Sequence, residues 1–150
     1  MLNEDYKDML QILLNNEVKF LIVGAYALAA YGYPRATGDF DIWVEASAEN
    51  SKKILSSLAS FGTSTSGLTE KTFMEKGIIF QIGVAPRRID FMTHIDGVDF
   101  SDAYSSRKTI VMEGLNLPFI SKKNLIQNKK STGRNKDLVD VKYLEENRDA

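Results

Sequence analysis

The stretch that decides the fold is residues 20–44, FLIVGAYALAAYGYPRATGDFDIWV. It opens with four apolar residues, Phe20–Val23, which are typical of a buried strand. Two small residues, Gly24 and Ala25, then lead into an alanine-rich segment that favours a helix. After a turn at Pro34 the chain enters a second apolar run. The stretch therefore predicts a strand, a helix and a second strand in close succession.

Two carboxylates lie in the second predicted strand. Asp39 and Asp41 are separated by one residue, so they project from the same face, about 6.6 Å apart along the backbone. Phe40 and Ile42 point the other way, into a core. Two like charges on a half-buried strand repel each other, and burying them is costly without a cation. The pair therefore predicts a site for a divalent metal ion.

Composition limits the classes of protein that need to be considered. The chain has 150 residues, 43% of them hydrophobic and 26% charged, which is typical of one soluble domain spanning residues 1–150. Its net charge of −1 gives no global field that would attract nucleic acid or a membrane. The absence of cysteine excludes disulfides, thiolate zinc sites and cysteine nucleophiles. With neither a signal-peptide pattern nor an apolar run of membrane-spanning length, we expect a cytoplasmic protein without membrane contact.

Hydrophobic periodicity predicts the remaining helices and strands. The predicted helices cover residues 2–16, 25–32, 46–61, 100–106, a segment starting after Ser121, and 137–147, and the predicted strands cover 78–84, 88–93, 107–113 and 115–120. Residues 62–77, rich in Ser, Thr and Gly, predict a loop whose core candidates are Leu68, Phe73 and Met74. Pro118 indicates that its strand lies at a sheet edge. The last helix is predicted to pack through Leu138, Val141 and Leu144.

A third carboxylate lies on another predicted strand. Polar and apolar residues alternate there, which places Asp90 on the face opposite Ile89 and Phe91. If this strand lies beside the strand of Asp39 and Asp41, three carboxylates converge. Hard oxygen ligands of this kind suit Mg²⁺, and two such ions can activate an attacking hydroxyl and stabilise a leaving pyrophosphate.

Several polar features have both a functional and a structural interpretation. Backbone N–H groups at Gly24 and Ala25 can seat a phosphate, although a glycine at such a junction is often only a tight turn. Arg35 can hold a phosphate or a carboxylate, or can simply lie on the surface. His94 is the single histidine, and we interpret it as structural because one imidazole without cysteine makes no common zinc cluster. Residues 114–136, with six basic and no acidic side chains, form either a solvated face or a phosphate-binding segment.

In this order the motifs resemble a known superfamily. They are VGA at 23–25, RATGDFDIWV at 35–44, RIDFMT at 88–93, IDGVDFSDAY at 95–104 and PFISKKNLIQNKKSTGRNKDLVDVKYL at 118–144. The set resembles the DNA polymerase β-like nucleotidyltransferases, and in particular their small bacterial single-domain members. The resemblance implies an α/β fold with a mixed, mostly antiparallel sheet and flanking helices.

The resemblance also implies roles for individual residues. Asp39, Asp41 and Asp90 match the metal ligands, and the expected cofactor is Mg²⁺, as two ions. Asp90 is also favoured as the general base for the acceptor, or as the group that orients a metal hydroxide. The implied nucleotide-binding residues are Gly24, Ala25, Arg35, Thr37, Lys129 and Arg134. Ala25 stands where the superfamily commonly has Ser or Gly, so a backbone contact to phosphate is kept and a hydroxyl contact is lost. Asp137 and Asp140 match the C-terminal segment and are expected to pair with Arg134.

These observations lead to one favoured function and two alternatives. The favoured function is Mg²⁺-dependent transfer of a nucleoside monophosphate from an NTP such as ATP to a hydroxyl acceptor, with release of pyrophosphate. The acceptor is a small molecule, a protein or an RNA, and a second copy of the chain or a partner protein is expected to complete the pocket. The first alternative is a catalytically silent binding or regulatory protein of the same fold, such as a toxin–antitoxin component. The second is a structural domain whose aspartates are merely solvated.

Overall fold

A computed structural model of the protein describes residues 2–34 and 37–146. The helices are α1 (Glu4–Asn15), α2 (Gly24–Ala30), α3 (Ala48–Phe61), α4 (Phe100–Ser105), α5 (Lys122–Thr132) and α6 (Asn135–Glu146). The strands are β1 (Phe20–Val23), β2 (Asp39–Val44), β3 (Ile79–Ile82), β4 (Arg88–Met92), β5 (Lys108–Met112) and β6 (Leu115–Phe119). None of these helices is both long and apolar enough to cross a membrane.

The strands form one mixed sheet in the order β3-β4-β2-β1-β6-β5. Three pairs are antiparallel, namely β1 with β2, β3 with β4, and β5 with β6. The other two pairs, β2 with β4 and β1 with β6, are parallel. The predicted fold class, a mixed and mostly antiparallel sheet with flanking helices, is confirmed.

Three helix starts coincide with side chains that cap free backbone N–H groups. The side chain of Asn3 accepts from the Tyr6 N–H and begins α1, and Ser47 does the same for Asn50 in α3. Ser121 caps α5 in the same way. Such caps satisfy donors that have no partner within the helix, which is why these helix starts were predictable from the sequence.

The core lies on both sides of the central strands. All four residues of β1 are buried, since β1 has a strand on each side of it in the sheet. On one face of β2, Phe40 packs edge-on against Tyr6 of α1, with ring centroids 4.8 Å apart. On the other face, Trp43 packs edge-on against Phe100 of α4, with centroids 5.0 Å apart. Helices therefore cover the two faces of β2, and its remaining polar residues lie near its start.

Two packing predictions were wrong. Leu138 is 44% exposed, because the inward face of α6 carries Asp137, Asp140, Val141 and Leu144, and Leu138 lies outside that stripe. Met74 is 42% exposed, although Phe73 beside it is fully buried in a short 3₁₀ turn. The predicted apolar stripe of α6 is thus partly polar, which brings two carboxylates into the interior.

Pro118 does not mark a sheet edge, contrary to the prediction, because β6 lies between β1 and β5. The Ile120 N–H donates to the Ile22 carbonyl, so alternate N–H groups of β6, including the position of Pro118, face β1. Pro118 lies opposite Thr109 of β5, and because its backbone faces β1, the pairing with β5 needs no N–H donor from Pro118. A proline is tolerated here because its missing N–H affects only the parallel ladder with β1.

The substitution Tyr31→Phe should destabilise the fold. The Tyr31 hydroxyl donates a buried hydrogen bond of 2.6 Å to the Ile120 carbonyl, and removing it leaves that acceptor without this donor. We expect the free energy of unfolding in urea to fall by about 1–3 kcal/mol. Tyr104→Phe is the matched control, since the Tyr104 hydroxyl bonds to nothing in residues 2–34 and 37–146. Equal stabilities of the two variants would contradict the prediction.

Candidate metal and nucleotide site

The parallel pairing of β2 with β4 brings three carboxylates together. The two strands pair in register, with Asp41 opposite Asp90 and Asp39 opposite Arg88. Each of Asp39, Asp41 and Asp90 offers an oxygen, and these three oxygens lie within 4.8 Å of one another. The predicted convergence of the acidic strands is therefore present in the structure, while the roles of the three residues stay predictions.

Arg88 is the counter-charge of this cluster, and the sequence interpretation missed it. Its Nε donates to Asp90 Oδ1 at 3.0 Å, and its Nη2 donates to Asp90 Oδ2 at 3.2 Å and to Asp39 Oδ2 at 2.9 Å. The signal was in the sequence, because Arg88 precedes Asp90 by two residues and so shares its strand face. One guanidinium thus bridges two of the three carboxylates.

Asp39 is held in its ionised form. The Thr37 hydroxyl donates to Asp39 Oδ1 at 2.7 Å, and Arg88 binds the other oxygen. Although burial acts in the opposite direction, these hydrogen bonds and the Arg88 charge lower the pKa of Asp39. Thr37 therefore orients a carboxylate as well as lining the cavity described below.

Asp41 lacks such hydrogen bonds, and the charges of Arg88 and Lys129 lower its pKa only in part. Burial, together with the charges of Asp39 and Asp90, raises the pKa of Asp41 to about 7. Within the described part of the chain no side-chain or backbone donor reaches its carboxylate. A half-buried carboxylate between two others fits a divalent cation bound by hard oxygen donors, as Mg²⁺ is. The residues present therefore fit the metal that the sequence predicts.

Gly24 is required by the close approach of Asp41. Gly24 has a φ of +68°, and a Cβ placed on it would lie 2.9 Å from Asp41 Cγ and even closer to a carboxylate oxygen. Only glycine combines that backbone conformation with the missing side chain. The turn from β1 into α2 can thus pass directly beside Asp41. The first backbone N–H groups of α2, which have no partner within the helix, begin at this turn.

A cavity of about 350 Å³ joins the acidic cluster to the basic C-terminal segment. Its walls contain five of the six predicted nucleotide-binding residues; the sixth, Arg35, lies outside the described residues. The lining residues are Gly24, Ala25, Thr37, Asp39, Asp41, Lys129, Arg134, Lys136 and Asp137. Lys136 was seen only as part of the basic run, and its position on the cavity wall is a result of the tertiary structure.

The Lys129 ammonium is buried between two carboxylates. Its Nζ lies 3.2 Å from Asp137 Oδ1 and 2.9 Å from Asp140 Oδ2, and all three residues are buried. Asp137 Oδ2 also accepts from Arg134 Nε and from Thr132 Oγ1, each at 2.7 Å. The expected pairing of Asp137 with Arg134 is present, and Asp137 connects two of the three basic residues of the cavity wall. Binding of phosphate by Lys129 stays a prediction.

Comparison with known proteins identifies a related fold. The crystal structure of "a putative nucleotidyltransferase" from Thermotoga maritima is similar to this chain, with a TM-score of 0.63 over 97% of this chain and 96% of that chain. The two sequences are 17% identical, a level at which the likeness establishes the fold alone. No protein-family model matches the sequence, and no curated protein matches it significantly. The chain therefore has a nucleotidyltransferase-like fold.

Replacing Arg88 by methionine should expose the repulsion among the three carboxylates. We expect Arg88→Met to lower the Tm at pH 7, because Asp39 and Asp90 lose their counter-charge. The decrease in Tm should be smaller at pH 5, because Asp41, whose pKa is raised to about 7, is then protonated and no longer repels the other two carboxylates. Arg87→Met is the matched control, since the one ion pair of Arg87 within the described residues is an exposed contact with Asp5 at 3.3 Å. If both variants melt alike, Arg88 does not balance the cluster.

Asp137→Asn should weaken the fold in a pH-dependent manner. Although burial acts in the opposite direction, hydrogen bonds from Thr132 and Arg134 and the Lys129 charge lower the pKa of Asp137. Because the pKa of Asp137 is lower in the folded than in the unfolded state, its carboxylate stabilises the protein at pH values above the unfolded-state pKa of about 3.9. This stabilisation is lost as the pH falls through the folded-state pKa. At pH 7 we expect a loss of about 2–4 kcal/mol in urea unfolding.

The difference between wild type and Asp137→Asn should therefore diminish below about pH 4. The exposed Glu146→Gln, on the same helix, is the control and should change stability by less than about 0.5 kcal/mol. A stability difference that stays constant between pH 7 and pH 3 would refute a depressed pKa at Asp137.

Proposed function

We propose that the protein is a divalent-metal-dependent nucleotidyltransferase that moves a nucleoside monophosphate from an NTP to a hydroxyl acceptor. The observation that carries the proposal is the meeting of Asp39, Asp41 and Asp90 beside a cavity whose wall also holds Lys129, Arg134 and Lys136. The nucleotidyltransferase-like fold supports it independently of that cluster.

On the acidic side, Asp39 and Asp41 would hold Mg²⁺ and Asp90 would complete the ligand set. The bound metal would neutralise charge on the phosphate oxygens and acidify the attacking hydroxyl. Arg88 keeps Asp90 in a fixed orientation through two hydrogen bonds. A carboxylate held in this way can accept the proton of the acceptor hydroxyl when it lies within hydrogen-bond reach.

On the basic side, the cavity wall binds the triphosphate. Gly24 and Ala25 offer backbone N–H groups at the start of α2, where no side chain caps the helix. Arg134 uses its Nε for Asp137, and the guanidinium, with a side chain 64% exposed, can still contact a phosphate. Lys136 adds a further positive charge to the wall.

The reaction balances without further reagents. The acceptor oxygen loses its proton to Asp90 and forms a bond to the α-phosphorus, while the bond from that phosphorus to the bridging oxygen breaks and pyrophosphate leaves. Transfers of this type depend mainly on positioning and on neutralising charge, so few reactive side chains are needed. The acceptor is a hydroxyl of a small molecule, protein or RNA, and a second subunit or partner protein completes its binding site.

One observation favours the alternative of a silent binding protein. The cations nearest the acidic cluster already have protein partners, since Arg88 binds Asp39 and Asp90, and Lys129 lies between two other carboxylates. A site balanced by its own charges can hold a nucleotide without turning it over. The experiment below separates the two functions.

The test measures pyrophosphate release and thermal stability with Mg²⁺ and each of the four common NTPs. For the enzyme we expect release that requires Mg²⁺, and Asp41→Asn or Asp90→Asn should lower its rate at least about 100-fold. Both variants should also reduce the Mg²⁺-dependent rise in Tm. The control is Asp8→Asn, which removes an exposed carboxylate of α1 and should leave both readouts unchanged.

Two other outcomes would count against the enzyme. A rise in Tm with Mg²⁺ and NTP, without pyrophosphate release for any acceptor tried, would support the silent binding protein. If neither Mg²⁺ nor any NTP changes the Tm of wild type, the proposed site is wrong.

A further inference from the structure

β3 is an outer strand of the sheet, and it lies next to β4, the strand of Asp90. The register places Gln81 of β3 opposite Asp90, which in turn lies opposite Asp41 of β2. Residues that lie opposite each other in neighbouring strands point to the same face of the sheet. Gln81, and with it Ile79 two residues earlier, therefore shares the face of the acidic cluster.

The backbone of β3 directs polar groups out of this edge. The Thr93 N–H donates to the Ile78 carbonyl at 3.0 Å, so Ile78 and the even-numbered residues of β3 turn their backbone groups toward β4. The N–H and C=O groups of Ile79 and Gln81 consequently point away from β4, where none of the strands that the structure describes meets them. An edge of this kind is a template for a further strand.

This edge lacks the charges that commonly protect the edges of natural sheets. Residues 77–86, GIIFQIGVAP, cover β3 and both of its ends and contain no charged side chain. Three large apolar side chains in or next to this segment are exposed, namely Met74 by 42%, Ile79 by 64% and Val84 by 78%. β5, at the opposite edge, begins with Lys108. β3 thus has the composition of a strand that is covered by another one.

The edge is complementary to itself, which favours a second copy of the chain as the occupant. In an antiparallel pair of two β3 strands, Ile79 lies opposite Gln81 of the other copy, and Gln81 lies opposite Ile79. All outward-pointing backbone groups of both copies then find partners around a two-fold axis at Phe80. Because the segment is neutral, the two copies meet without like charges, and a charged partner would gain no attraction from it.

The same register determines how the two copies are oriented. Since opposite residues share a face, the side chains of Ile79 and Gln81 from both copies lie on the acidic side of the joined sheet. The two acidic clusters then lie on one face, with their Asp90 residues three strand spacings apart, about 14 Å. Between them lies a shared floor, which consists of Ile79 and Gln81 from each copy.

We propose that two copies of the chain join antiparallel through β3 into one continuous sheet with this shared floor between their acidic clusters. The pairing itself does not depend on nucleotidyl transfer. The role of the floor in binding the acceptor does rest on the proposed function, in which a second subunit completes the acceptor site next to Asp90.

Sedimentation velocity over about 1–200 µM protein tests the association. Because the join consists of two short strands, we expect a reversible dimer with a Kd of about 10 µM. Ile79→Lys places a charge at the join and should raise this Kd at least about tenfold. Val111→Lys is the matched control and should dimerise like wild type, since Val111 is 68% exposed on the opposite edge strand, β5. The proposal is overturned if wild type sediments as a monomer throughout, or if the two variants dimerise alike.

Cysteine cross-linking tests the register, because the chain has no cysteine of its own. In an equimolar mixture of Ile79→Cys and Gln81→Cys, the introduced thiols lie opposite each other with Cα atoms about 5.5 Å apart, which a disulfide can span. We expect this mixture to form covalent dimers about tenfold faster than a mixture of Thr109→Cys and Val111→Cys, two exposed positions of β5. Equal rates would overturn the pairing through β3. Neither readout involves pyrophosphate release, so a failure of the pairing is distinct from a failure of the proposed function.

Discussion

The parallel, in-register pairing of β2 with β4 is the constraint on which the site depends. It places Asp41 directly opposite Asp90 and forces carboxylates from two distant parts of the chain together. Their repulsion is offset unequally, because Arg88 and Thr37 bind Asp39, and Arg88 also binds Asp90. Among residues 2–34 and 37–146 no donor binds Asp41, whose pKa is raised to about 7, so the fold itself creates the demand for a cation.

The C-terminal segment places basic side chains in the wall of the cavity that Asp39 and Asp41 also line. Helix α5 and the turn that follows it bring Lys129 and Arg134 to the wall of the same cavity, and Asp137 of α6 holds both of them. Breaking a buried pair by removing one partner is costly, so the buried Lys129 is fixed in position rather than free to follow a ligand. A cavity with an acidic wall and a fixed basic wall is complementary to a metal ion bound to a phosphate chain.

The sequence predicted most of the helices and strands and the three carboxylates that meet, but not the counter-charge of these carboxylates. Capping residues and hydrophobic periods indicated the helices and strands, and strand alternation showed that Asp39 and Asp41 share a face. The same alternation places Arg88 on the face of Asp90, yet its role became visible only when the strands were seen side by side. Pro118 failed as an edge signal because its missing N–H matters on one side of β6 only.

What the sequence determined by itself was local: where helices begin, which residues alternate, and which side chains share one face of one strand. These follow from backbone geometry and from hydrogen bonds between near neighbours, which a short stretch of chain specifies. Only the tertiary structure decided the strand order, the burial of Lys129 and the open edge of the sheet at β3. The reason is that each depends on contacts between residues far apart in the chain, and periodicity shows which face is buried without showing what that face will meet.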